Sequence, residues 1–121
     1  MLRELEAALM AMPAKRLIAG SLCREGETCA VGELAVYRRM QAGAPRAEAL
    51  AWLEGLALGP GDETGNDTAE FGVNELGLTF VLAWELAYMN DERAGWSGLT
   101  PEYRYDRVLD WVRAEIGKVL S

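Results

Sequence analysis

The sequence has 121 residues, 50% of them hydrophobic and 26% charged, with a formal net charge of −7 and no histidine. That balance belongs to an ordinary globular chain rather than a disordered one. A chain this long buries roughly two thirds of its unfolded surface on folding, enough for a single domain spanning 1–121. The missing histidine excludes Ser-His and Cys-His nucleophilic pairs within one chain, and it leaves a closed zinc site dependent on carboxylates beside Cys23 and Cys29.

Other classes fall away on local pattern. Glu4 and Glu6 interrupt the N-terminal stretch where a signal peptide needs an apolar run, and the apolar run Leu76 to Trp84 is too short for a membrane span and is followed by Glu85. The expectation is a cytoplasmic protein with no membrane partner. Gly59-Pro60-Gly61 reads as a turn, because no Gly-Lys-Ser/Thr follows it as a phosphate loop requires. The expectation is therefore no enzyme, no cofactor and no metal. The two cysteines read as small buried hydrophobes close in space.

Along the chain, Leu2, Leu5, Leu9 and Met12 recur at helical spacing and predict a first helix that Pro13 ends. Residues 16–28 read as two short extended pieces or a small hairpin turning at Arg24 to Thr28. Thr28 is the expected N-cap of a second helix from Cys29 to about Gln41, which Gly43 stops. Pro45 opens a third helix carrying Leu50, Leu53 and Ala57 on one face, widened by Trp52 and Leu56.

Gly59 to Asn66 reads as a loop. A calcium loop fails on register, since the position needing glycine holds Asp67 and the twelfth holds Val73. Asp67 or Thr68 caps a fourth helix ending at Gly77, and Thr79 caps a fifth from Phe80 to about Asn90. That fifth helix is apolar nearly all round and so is expected at the centre of the core, with Trp84 and Trp111 as core residues. Asp91 to Gly98 forms a second loop. Thr100-Pro101-Glu102 starts a last helix whose Tyr105, Val108, Val112, Ile116 and Val119 hold one stripe. The fold class is thus mainly α, a compact bundle of about five helices, becoming α+β if residues 16–28 form the short hairpin.

Charge placement carries the functional expectation. Between Arg46 and Arg93 stand ten acids and not one lysine or arginine. Such a face is either solvated or docks on a basic partner. The residues expected to bind a partner are Asp62, Glu63, Asp67, Glu70 and Glu75, with Trp96 as a surface anchor or a pin between two loops. A helix-turn-helix threads through Val73 to Leu86, but its recognition helix holds no base, so direct nucleic-acid contact is not expected.

Two stretches carry a resemblance. Leu22-Cys23 followed by Cys29-Ala-Val-Gly32-Glu-Leu is one. The other is Leu76-Gly-Leu with Leu82-Ala-Trp-Glu-Leu86 and Asn90-Asp-Glu92, then Thr100-Pro-Glu102 and Asp110-Trp-Val112. Together they touch about half the chain and resemble small proteins of unknown function in phages, prophages and bacteria, from whose pattern Glu33 and Met89 depart. The resemblance implies a mobile-element setting and no assigned chemistry. The resulting expectation is a phage accessory protein that binds a host protein, inhibiting a nucleic-acid-handling defence complex as anti-CRISPR proteins do. The alternative is a small-molecule binder or minor enzyme with a pocket near the Cys23–Cys29 loop.

Overall fold

The computed structural model describes residues 2–18, 23–24, 26–56, 65–91 and 100–120. Among these residues six helices and one two-stranded hairpin follow in the order α1 (Leu2–Met10), β1 (Cys23–Arg24), β2 (Glu27–Thr28), α2 (Ala30–Gln41), α3 (Arg46–Leu56), α4 (Gly65–Leu76), α5 (Phe80–Asp91) and α6 (Pro101–Leu120). The fold is mainly α. Its hairpin pairs Cys23 with Thr28 and Arg24 with Glu27, antiparallel, and lies within residues 16–28 as expected. Arg24, Glu27 and Thr28, expected as its turn, are strand residues, a correction that follows from their backbone pairing. Gly26 turns the chain there with φ +79°, the left-handed region that only glycine enters without strain.

The central element is α2. Every residue from Ala30 to Val36 is buried, and the helix packs on α1, α3, α4 and α5. Small side chains at Ala30, Gly32 and Ala35 let these neighbours approach from several sides, and Val31, Leu34 and Val36 fill the spaces between them. The expectation that α5 occupies the centre is therefore corrected. The reason lies in side-chain size: α5 presents Ala83, Leu86, Ala87 and Asn90 to the bundle and leaves its largest apolar residues outside. Gly72 of α4 faces α5 so closely that an added Cβ would stand 3.5 Å from the Ala83 Cβ and 3.0 Å from Leu78 Cδ1. The α4–α5 pair is held by small residues, so its aromatic residues are not needed inside.

The outer helices follow their sequence signals. In α1, Leu5, Ala8 and Leu9 are buried, and Met12 beyond its end joins the core. Thr79 and Thr100 cap as expected, accepting N–H bonds from Leu82 at 3.2 Å and Tyr103 at 3.0 Å. Along α6, Tyr105, Val108, Leu109 and Val112 are buried and Ile116 is half-buried, while the Tyr105 hydroxyl donates to the Leu9 carbonyl of α1 at 2.7 Å. Trp111 is half-buried rather than core. The cap of α2 also differs from expectation. Cys29 takes the N-cap place, its Sγ accepting the Gly32 N–H at 3.3 Å, because Thr28 is paired in β2 and turns its hydroxyl elsewhere.

Candidate functional site

Two places in the fold gather chemistry, one polar and one apolar. The polar one is built at the start of α2. Glu33, 1% exposed, accepts the Thr28 hydroxyl at 2.7 Å and both terminal nitrogens of Arg46, at 2.8 Å and 3.0 Å. A buried carboxylate needs such partners, and the bidentate guanidinium supplies charge and geometry together. The hydrogen bonds to Glu33 in turn hold the Arg46 guanidinium above its usual range, against the opposing effect of burial. Cys23 lies beside this pair and donates to Glu54 Oε1 at 3.6 Å. Burial, reinforced by the Glu54 carboxylate, pushes its thiol from 9.0 up to about 11. A thiol so raised is a poor nucleophile at neutral pH. Both cysteines are buried thiols, and no disulfide joins them.

On the other side of the α2 start, Asn90 at the end of α5 accepts the Ala30 N–H at 2.9 Å and donates to the Ile18 carbonyl at 2.8 Å. One amide therefore satisfies an orphan donor of α2 and ties down the extended segment before the hairpin. A cleft of about 200 Å³ opens beside the hairpin, lined by Met12, Pro13, Ala14, Arg16, Gly26, Glu27, Thr28 and Arg46. Its charges are balanced within the fold. Arg16 bonds Glu27 at 2.8 Å and also pairs with Glu102, and Arg46 is committed to Glu33. The cleft lies below the roughly 300–1,000 Å³ of a small-molecule site. No cluster of three or more metal-ligating side chains occurs among the described residues.

The apolar place is the outer face of α5. Phe80 is 66% exposed, Val81 63%, Trp84 36% and Tyr88 53%. Phe80, Trp84 and Tyr88 stand four residues apart and so form one row down the helix. The Phe80 and Trp84 rings meet at 5.9 Å, tilted by 59°, an arrangement aromatic pairs favour. The row continues into a shallow groove between α5 and α6, lined by Trp84, Glu85, Tyr88, Met89, Trp111 and Glu115. Scattered exposed apolar residues are ordinary, whereas here the exposed rings are contiguous and have a groove beside them.

The expected site residues divide. Glu70 and Glu75 lie on α4 and are exposed. Asp67 falls in the first turn of α4, its side chain outside the described part. Asp62, Glu63 and Trp96 lie outside the described residues altogether. Sequence reasoning missed the α5 face because it read an all-round apolar helix as a buried one. The available signal was the split in size, with Phe80, Trp84 and Tyr88 on one side and Ala83 and Ala87 on the other. The expected pocket near the Cys23–Cys29 loop corresponds in place to the cleft at Gly26, Glu27 and Thr28, although the cysteines themselves do not line it.

Comparison of the chain with protein-family models, with curated proteins and with solved structures finds no match.

Proposed function

We propose that this chain is a non-enzymatic binding protein that docks another protein through the outer face of α5. The observation that carries this reading is the exposed row Phe80, Val81, Trp84 and Tyr88, which water alone covers at a cost of roughly 25 cal/mol per Å² of apolar surface. A buried aromatic anchor in a groove is the usual energetic centre of a protein interface. The acidic surface fits the same reading. Exposed Glu70, Glu75 and Glu85 lie on α4 and α5, both within the base-free segment. Together with Asp62, Glu63 and Asp67 of that segment they favour a basic partner and faster encounter with it.

The resemblance to small phage and prophage proteins extends the proposal to a cytoplasmic host protein. A nucleic-acid-handling defence complex has the basic surface required, and its blockade would be anti-CRISPR-like. No helix among the described residues is long and apolar enough to cross a membrane.

Photo-crosslinking in cells of the source organism tests the docking reading. A crosslinking residue in place of Tyr88 should capture a defined protein, and the same residue in place of Arg3, exposed on α1, should not. Equal capture from both positions refutes the reading.

A second reading, a small-ligand site, is favoured by the cleft beside the hairpin. Given its size and balanced charges, it would take only a small polar molecule. A thermal-shift screen of small polar metabolites tests it, because a ligand at a hundred times its Kd stabilises by about 2.7 kcal/mol.

A further inference from the structure

Resting on the docking reading, we infer that the occupant of the α5–α6 groove is an amphipathic helix with lysine or arginine beside its apolar stripe. The groove supplies matching features. Its apolar lining is Trp84, Tyr88 and Met89 from α5 and Trp111 from α6. Two roughly adjacent helices leave a channel that a third helix fills by laying i, i+3, i+4 and i+7 side chains along it. Methionine and aromatic residues adapt to such an incoming stripe.

Charge then selects among partners. The groove holds a carboxylate on each wall, Glu85 on α5 and Glu115 on α6. Lys118 reaches Glu115 at 3.3 Å, whereas among the described residues no ion pair engages Glu85. Behind the groove, α4 and α5 lie entirely in the segment 47–92, which has no base. The α6 wall carries Lys118, already paired with Glu115, so a second copy would set two base-free α5 walls together with little cation to spare in a molecule of net charge −7, and like charges placed across an interface disfavour it. A helix flanked by lysine or arginine instead puts its cations against Glu85, the groove carboxylate that no ion pair engages among the described residues, with Glu115 shared with Lys118 on the facing wall.

The test uses three designed peptides of about five helical turns. One is an amphipathic Leu/Lys helix, the second has the same stripe with Glu in place of Lys, and the third has the Leu/Lys composition in scrambled order. Binding is followed by amide chemical shifts of the full chain and by peptide fluorescence anisotropy. The Leu/Lys helix should bind with shifts centred on Trp84, Tyr88, Met89 and Trp111. The scrambled and Leu/Glu peptides should bind at least about tenfold more weakly, as should the Leu/Lys helix to the Glu85→Lys/Glu115→Lys variant.

Equal affinity for the scrambled peptide overturns the inference, since charge attraction alone then explains binding. A dimer by light scattering that Trp84→Ser/Tyr88→Ser dissociates also overturns it, by giving the face to a second copy. The two readings fail separately. A crosslink from position 88 to a segment that is not a basic helix removes this inference and leaves the docking reading. Capture that does not distinguish position 88 from position 3 removes the docking reading itself.

Discussion

Removing Arg46 is the sharpest test of the packing. In Arg46→Leu the Glu33 carboxylate keeps the Thr28 hydroxyl at 2.7 Å but loses both guanidinium bonds, at 2.8 Å and 3.0 Å, while remaining 1% exposed. Stranding one member of a buried ion pair costs about 3–5 kcal/mol. The Arg46 side chain is itself 22% exposed, so water partly replaces it, and about 3 kcal/mol is expected. The reverse variant, Glu33→Leu, strands a guanidinium that already reaches water and should cost less, about 1–2 kcal/mol. Changing both residues to leucine removes both charges and leaves only the Thr28 hydroxyl without its acceptor. The double variant should then lose about 1–2 kcal/mol, well short of the sum of the singles. Urea unfolding of the four proteins, with unchanged m-values as the control for two-state behaviour, measures this cycle. A loss below about 1 kcal/mol for Arg46→Leu, or additivity in the double variant, would show that Glu33 is solvated and that the description of the α2 start is wrong.

Further outcomes follow from the same contacts. Val112→Asp places a carboxylate among fully buried apolar side chains and should cost several kcal/mol in urea unfolding, where a loss under about 1 kcal/mol contradicts the placement of the α6 stripe. Asn90→Ala removes both the acceptor of the Ala30 N–H and the donor to Ile18, and should lower stability by about 2–3 kcal/mol and speed amide exchange at Ala30. Thiol titration of the reduced protein should find two thiols, Cys23 and Cys29, both slow to react at neutral pH until the chain unfolds. The Cys23 thiol, raised in the folded state, contributes stability that is complete below its unfolded value and is lost as pH rises toward about 11. Cys23→Ala should flatten that alkaline loss, and an unchanged pH profile contradicts the buried thiol.

How much of this was legible in the sequence depends on whether a local signal or a tertiary choice decides the outcome. Caps and turns are local. Thr79, Thr100, Gly77 and Gly43 act within a few residues of themselves, and the helix ends they set fall within two residues of expectation. By contrast α4 begins at Gly65, so Asp67 and Thr68 lie inside its first turn and not at the expected cap. Thr28 failed as a cap because its hydroxyl had a stronger claim, the Glu33 carboxylate, which a one-dimensional reading cannot see. The choice between α2 and α5 as the central helix is tertiary as well. Both are twelve residues long and α5 is the more apolar, yet α2 takes the centre because it offers small residues on several sides. The Glu33–Arg46 pair spans two helices, and Asn90 reaches Ala30 across 60 positions, so neither leaves a mark in sequence spacing. Of the expected acidic site, the exposure of Glu70 and Glu75 on α4 was legible, whereas the aromatic row beside them was read as core.

The central claim is that the α5 face binds a protein, and paired variants measured against the captured partner test it most directly. Phe80→Ser/Tyr88→Ser removes the two most exposed rings of the row, 66% and 53% exposed, without emptying the core, so the variant should stay within about 1 kcal/mol of the parent in stability. By calorimetric titration it should bind the partner at least about a hundredfold more weakly, the loss expected when two aromatic anchors are removed. Affinity unchanged in a variant that remains folded would contradict the claim and reduce the row on α5 to an exposed apolar surface.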